Sequence, residues 1–123
     1  MLRSRNLGPD SPPVLFIIEL QEVFNLADIS SILEDKSLSE KYLELYKEKL
    51  SKISNSKDPV YGEYLERKAK VYFNLKEYQR AVETLREAGK LFEDLGKVDP
   101  KLAENAQIMN TIADNIQKEH LAK

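Results

Sequence analysis

The sequence of 123 residues contains no cysteine and no tryptophan, and it has one histidine and four glycines. Without cysteine the chain can form no disulfide bond, no thiolate metal site and no cysteine nucleophile. A cysteine-free chain is typical of a reducing compartment, so we expect a cytoplasmic location. The glycines are scattered and form no phosphate-binding loop. They stand at Gly8, Gly62, Gly89 and Gly96.

Catalytic and metal-binding patterns are also missing. His120 lies three residues from the C-terminus, and a single histidine excludes a two-histidine metal site. We expect it to be an ordinary exposed side chain. Neighbouring acids such as Glu34-Asp35 and Glu93-Asp94 lie among polar residues, where their pKa values would not be driven apart. We therefore expect no catalysis, no metal and no cofactor.

The sequence has neither a large excess of charge of one sign nor a long apolar run. The 19 basic and 21 acidic residues give a net charge of −2, and no block of like charge suits a nucleic-acid surface. The apolar run at residues 14–18 is far shorter than the roughly 20 residues that cross a bilayer. Glu19 follows it directly, which does not fit a signal peptide. We expect neither a nucleic-acid nor a membrane partner.

The composition fits a helical protein with solvent-exposed polar faces, since 41% of the residues are hydrophobic and 33% are charged. Apolar residues recur mostly at intervals of three and four, which favours α-helix. We predict an all-α fold, either an antiparallel bundle or a short right-handed superhelix of five or six helices. A flexible lead over residues 1–10 would precede a single domain over residues 11–123.

The first predicted helix is unusually apolar. Ser11-Pro12-Pro13 is a helix-start signal, and the residues that follow are apolar around most of the helix circumference. Such a helix is either buried on several sides or covers an interface. A strand over residues 14–18 is an alternative, although no partner strand is visible. We predict self-association, through the open end of a helical stack or through this helix at Leu15, Phe16, Leu20 and Phe24.

Helix boundaries further along follow from capping residues. Asp28 could cap a short extra turn, and a loop at residues 34–36 would precede a capping box from Ser37 to Glu40. Asp58-Pro59 and Asp99-Pro100 would each begin a helix. The helix after Ser37 would carry its apolar stripe at Leu38, Tyr42, Leu45, Tyr46, Leu50 and Ile53.

Residues 64–95 contain the clearest pattern, two amphipathic helices joined by a connection of only a few residues. Such a short connection forces antiparallel packing. The apolar and small residues fall in a fixed order, at Leu65, Ala69, Tyr72, Tyr78, Ala81, Leu85 and Ala88. This order resembles the tetratricopeptide repeat, with Leu65 in place of its usual tryptophan and Glu93 in place of its proline.

The resemblance implies a hairpin over residues 59–96 and a closing helix over residues 100–121. It also implies that the first helix of the hairpin faces a ligand. On this sequence the ligand-facing positions are Glu63, Glu66, Lys70, Phe73 and Asn74. Some family members hold a terminal carboxylate with lysine and asparagine, but Glu66 and Lys70 occupy the matching places here. The alternative is a plain solvated helix face.

The leading functional hypothesis is a non-catalytic module that binds a partner protein or peptide and forms homo-oligomers. One alternative is a small-molecule-binding or sensor bundle with a pocket near Tyr64, Tyr72 and Tyr78. Another is a peripheral trafficking adaptor. The six tyrosines could be core residues or could line a groove, because tyrosine suits sites that are buried at one end and wet at the other.

Overall fold

The computed structural model describes residues 12–54 and 57–121, and the side chains from residue 18 onward within them. These residues form five α-helices and no strand, which confirms the predicted all-α class. The strand alternative for residues 14–18 is wrong, because their backbone lies inside the first helix. The predicted lead over residues 1–10 lies outside the described residues. The helices are α1 (Pro12–Ile32), α2 (Lys36–Leu50), α3 (Pro59–Asn74), α4 (Tyr78–Gly96) and α5 (Pro100–Ile116), followed by a π-helical turn at Gln117–Leu121.

Two predicted helix starts are confirmed and two capping assignments are wrong. α3 and α5 begin at the prolines that follow Asp58 and Asp99. The cap of α2, however, is Asp35, whose Oδ1 accepts a hydrogen bond from the Leu38 amide at 3.0 Å. Aspartate caps as well as serine does, so α2 starts before Ser37 and that residue lies inside its first turn. Asp28 caps nothing, since α1 continues through it to Ile32.

The turns after α1 and α3 have the same geometry. In each a residue with positive φ follows the helix, 61° at Glu34 and 64° at Lys76. In each the next amide reaches back five residues, from Asp35 to the Ser30 carbonyl and from Glu77 to the Tyr72 carbonyl, both at 2.9 Å. These are Schellman turns, which close the open carbonyls of a helix end. The α1–α2 and α3–α4 hairpins therefore share the same type of turn between their two helices, and the two turns lie 42 residues apart.

The buried face of α2 differs from the predicted stripe. It includes Leu43, which the stripe left out, whereas Leu38 and Ile53 are 37% and 56% exposed. The fully buried Ser39 lies on this face, and its hydroxyl bonds to the Asp35 carbonyl at 2.7 Å. A small residue at that point lets α2 approach its neighbours closely. A search for large apolar residues alone does not detect such a position.

The core runs through all five helices. α1 packs on α2, α3 packs on α4 and on α1, and α5 packs on α4. Ala69, Ala81 and Ala88 are buried as the hairpin pattern predicts. The remaining core residues are Leu20, Val23, Phe24, Ala27, Leu43, Tyr46, Leu50, Tyr64, Leu65, Val71, Tyr72, Val82, Leu85, Phe92, Ala106, Met109, Ala113 and Ile116.

Candidate functional site

A concavity lies between α3 and α5, with α4 behind it. We call it the α3–α5 groove, and its volume is about 910 Å³. It exists because α5 packs mainly on α4, so that α3 and α5 form the two opposite sides of the groove, which we call its walls. The residues that line it are Phe24, Pro59, Glu63, Glu66, Arg67, Ala69, Lys70, Phe73, Leu85, Phe92, Leu102, Asn105, Ile108, Met109, Ile112, Asn115, Ile116 and Glu119.

The floor of the groove and its α5 wall are apolar. The floor consists of buried side chains from three helices, namely Ala69, Leu85, Phe92, Met109 and Ile116. Above them on α5, Ile108 is 51% exposed and Ile112 is 37% exposed. These two isoleucines are one helical turn apart, so they form a continuous apolar strip along the wall. Solvent-exposed apolar surface inside a concavity is typical of a binding site.

The α3 wall is charged, and its two cations contact side chains of α1 and α2. The Arg67 guanidinium lies 4.8 Å from the Phe24 ring centroid, and its Nη1 donates to the Tyr46 hydroxyl at 3.1 Å. Lys70 Nζ lies 3.7 Å from a carboxylate oxygen of Asp28. Both cations are thus held by α1 and α2.

Three carboxylates of the groove have no such partner. Among the ion pairs of residues 12–54 and 57–121, none includes Glu63, Glu66 or Glu119. Glu63 and Glu66 are exposed on the α3 wall, and Glu119 is exposed in the π-helical turn. Arg67 is also absent from those ion pairs, so three unpaired carboxylates stand against one unpaired guanidinium, and the net charge left available to a ligand is negative.

The structure brings four of the five predicted partner-binding residues into this groove. Glu63, Glu66, Lys70 and Phe73 line it. Asn74 does not, because the last residue of α3 turns toward α1. Its Nδ2 donates to the Ser31 hydroxyl at 3.0 Å and to Asp28 Oδ1 at 3.3 Å. Asn74 therefore ties α3 to α1.

The residues predicted for self-association are placed differently. Leu20 and Phe24 are 7% and 9% exposed and belong to the core of this chain. Leu15 and Phe16 lie in the part of α1 whose side chains are outside the described set. Among the described side chains of α1, from residue 18 onward, the exposed apolar ones are Ile18, Leu26, Ile29 and Ile32. Self-association stays a prediction, and Leu20 and Phe24 do not supply its surface.

An aromatic cluster lies where Phe73 meets the π-helical turn. The His120 ring stacks on Tyr78, with centroids 4.0 Å apart and planes 11° from parallel. Phe73 meets both rings edge to face, at 5.4 Å from Tyr78 and 5.6 Å from His120. The expectation that His120 is an ordinary exposed side chain is wrong, because the turn folds back onto the α3–α4 connection and half-buries it.

The tyrosines predicted to form a ligand pocket belong mainly to the core. Tyr64 and Tyr72 are buried, and Tyr78 is covered in part by the His120 ring. Tyr64 stacks on Tyr46 with centroids 5.5 Å apart. Burial raises the pKa of both phenols, and the Arg67 guanidinium lowers that of Tyr46 in part. No tyrosine lines the α3–α5 groove.

Sequence reasoning missed the α5 wall. Ile108 lies off the core stripe of α5, and an apolar residue off that stripe is the signal that could have revealed it.

Across the part of the chain that the structure describes, no three acidic or histidine side chains cluster as metal ligands would. No helix there is both long enough and apolar enough to cross a membrane. Comparison with family models, curated protein sequences and solved structures gave no match. Function is therefore inferred from the groove itself.

Proposed function

We propose that this chain is a non-catalytic interaction module that binds a partner protein or peptide in the α3–α5 groove. The observation that carries the proposal is the strip formed by Ile108 and Ile112, exposed above a buried apolar floor. Covering such a strip removes apolar surface from water, which is the main driving force for association. The charged α3 wall would set the orientation of the partner, because polar groups around an apolar centre give specificity.

The tetratricopeptide-like reading of the hairpin supports the same face. α3 is the first helix of the predicted repeat. The α1–α2 hairpin has the same turn between its helices as the α3–α4 hairpin, 42 residues earlier in the chain. α5 would then be the first helix of a third unit. In that arrangement α3 and α5 are both ligand-facing helices, and the groove lies between them.

The test is capture of partners from the source lysate with chemical cross-linking and mass spectrometry. The groove variant is Ile108→Ser with Ile112→Ser. The matched control is Ile53→Ser with Val98→Ser, which changes two exposed apolar residues outside the groove. A protein cross-linked to α3 or α5 in the wild type and the control, and lost in the folded groove variant, supports the proposal. Equal capture by the wild type, the control and the groove variant would place the interface outside the groove.

A small-molecule-binding function is the second candidate, because about 910 Å³ falls within the usual range of ligand pockets. A compound that raises the melting temperature of the wild type and not of the Ile108→Ser, Ile112→Ser variant would favour it. The adaptor hypothesis stays a prediction that liposome co-sedimentation tests. Self-association and a cytoplasmic location also stay predictions, the first of them measurable by light scattering.

A further inference from the structure

We infer that the occupant of the α3–α5 groove is an amphipathic helix whose apolar stripe is flanked by lysine or arginine. This inference rests on the proposed function and adds the chemistry of the partner. It follows from the length of the groove, the difference between its two walls and the sign of the charge that remains unpaired.

The length and direction of the walls suit a helix. The α3 wall runs from Pro59 to Phe73, roughly 20 Å at 1.5 Å per residue. α4 turns back from α3 across a short connection, and α5 turns back from α4, with Gly96 beside Ala103 and Gly89 beside Asn110, so α3 and α5 run in the same direction. Phe73 near the end of α3 accordingly meets His120 beyond the end of α5. Two parallel helices with a third behind them form a trough, and an apolar helix face lies in such a trough with anchors at intervals of three and four residues.

The two walls differ, so the occupant needs two different faces. The α5 wall offers Ile108 and Ile112 and requires an apolar stripe. The α3 wall offers Glu63 and Glu66, which are three residues apart and therefore lie on one side of that helix. A helix that lays leucine-like side chains against α5 would present its flank to these two carboxylates.

The charge expected on the flank of the bound helix follows from the balance of unpaired charges in the groove. Arg67 and Lys70 are held by Phe24, Tyr46 and Asp28. Asp28 compensates the charge of Lys70, whereas Phe24 and Tyr46 are neutral and leave Arg67 as the one unpaired cation of the α3 wall. Glu63, Glu66 and Glu119 have no cationic partner among the described residues. Cations on the ligand would meet two carboxylates along α3 and a third at the end of α5.

The experiment is a selection from a displayed library of random peptides of about 16 residues, a length that spans the groove as a helix. Binders are selected on the wild-type chain and counter-selected on the Ile108→Ser, Ile112→Ser variant, so that groove-dependent peptides remain. We expect enriched sequences with apolar residues at intervals of three and four and lysine or arginine beside them. Circular dichroism of the winning synthetic peptide should show helix on binding.

Charge variants give the quantitative test. The double substitution Glu63→Gln, Glu66→Gln should lower the affinity for the selected peptide by about tenfold at low salt. The matched control, Glu83→Gln with Glu87→Gln, neutralises two exposed carboxylates on α4 outside the groove and should leave the affinity unchanged. The difference between variant and wild type should shrink at high salt, because exposed ion pairs are screened.

Three results would overturn the inference. They are groove-dependent peptides that are acidic, peptides without a helical apolar period, and an affinity that the Glu63→Gln, Glu66→Gln change leaves intact. Each of these would leave groove binding itself standing. If no peptide depends on the groove, the basic-helix inference fails, and the lysate experiment decides separately whether the proposed function fails with it.

Discussion

The ring of Phe92 on α4 lies directly over the backbone of Gly62 on α3. A Cβ atom at residue 62 would lie 2.8 Å from Cε2 and 2.9 Å from Cε1 of that ring, and closer still to Cζ. Atoms of this kind pack at about 3.5–4.0 Å. Phe92 is 3% exposed and also forms part of the groove floor, so the absence of a side chain at Gly62 lets α3 approach α4 beneath the groove.

We expect Gly62→Ala to lower the free energy of unfolding by about 1–3 kcal/mol, even though alanine favours helix over glycine by about 1 kcal/mol. The buried ring cannot move without disturbing the core. Gly89→Ala is the comparison, because its Cβ would meet the half-buried Asn110 side chain at 3.0–3.2 Å. There we expect a smaller loss. Urea unfolding measures both, and equal losses would contradict the steric explanation.

Asn74 is predicted to matter for stability and not for binding. Asn74→Ala removes the hydrogen bonds to Ser31 and Asp28 that hold α3 to α1. We expect a loss of about 1 kcal/mol in the free energy of unfolding. The affinity of a groove-dependent peptide should stay unchanged once folding is complete. A loss of peptide binding in the folded Asn74→Ala variant would instead show that Asn74 takes part in binding.

The stacking of His120 on Tyr78 should hold the π-helical turn against the α3–α4 hairpin. His120→Ala should cost about 0.5–1.5 kcal/mol and raise amide exchange in residues 117–121. His120→Phe keeps a flat ring at the same position, so we expect it to retain most of the stability. Hydrogen exchange followed by NMR gives the local readout. Protection that is unchanged in His120→Ala would show that the ring contact contributes nothing.

Alkaline pH should destabilise the fold through its buried phenols. Burial raises the pKa of Tyr64 above its ordinary value near 10, and that of Tyr46 is also raised. A group whose folded pKa is raised contributes full stability below its unfolded pKa and loses it as pH rises above that value. The free energy of unfolding should therefore fall above about pH 10.

Tyr64→Phe separates this effect from the loss of lysine charge in the same pH range. The variant keeps the stacked ring and lacks the ionisable hydroxyl. Its free energy of unfolding should fall less steeply above about pH 10 than that of the wild type. Urea unfolding at several alkaline pH values measures the two slopes. Identical slopes would mean that Tyr64 ionises as readily in the folded chain as in the unfolded one.

The sequence by itself determined the all-α class and the starts of α3 and α5, because the signals for these are local. Proline after aspartate marks the start of α3 and α5, and the intervals between apolar residues identify the buried face of the hairpin. The resemblance to the tetratricopeptide repeat predicted that α3 faces a ligand; four of the five residues chosen there line the groove, and ligand binding itself stays a prediction. A helix period and a cap are read within a few neighbouring residues, so no knowledge of the rest of the chain is needed.

Only the tertiary structure decided which side chains remain available. That Phe24 is core, that Asn74 binds α1 and that Arg67 is held by Tyr46 depends on contacts between residues more than 20 positions apart. The groove lies between α3 and α5 because α5 packs mainly on α4. That choice depends on the match of whole helix surfaces, which no local pattern contains.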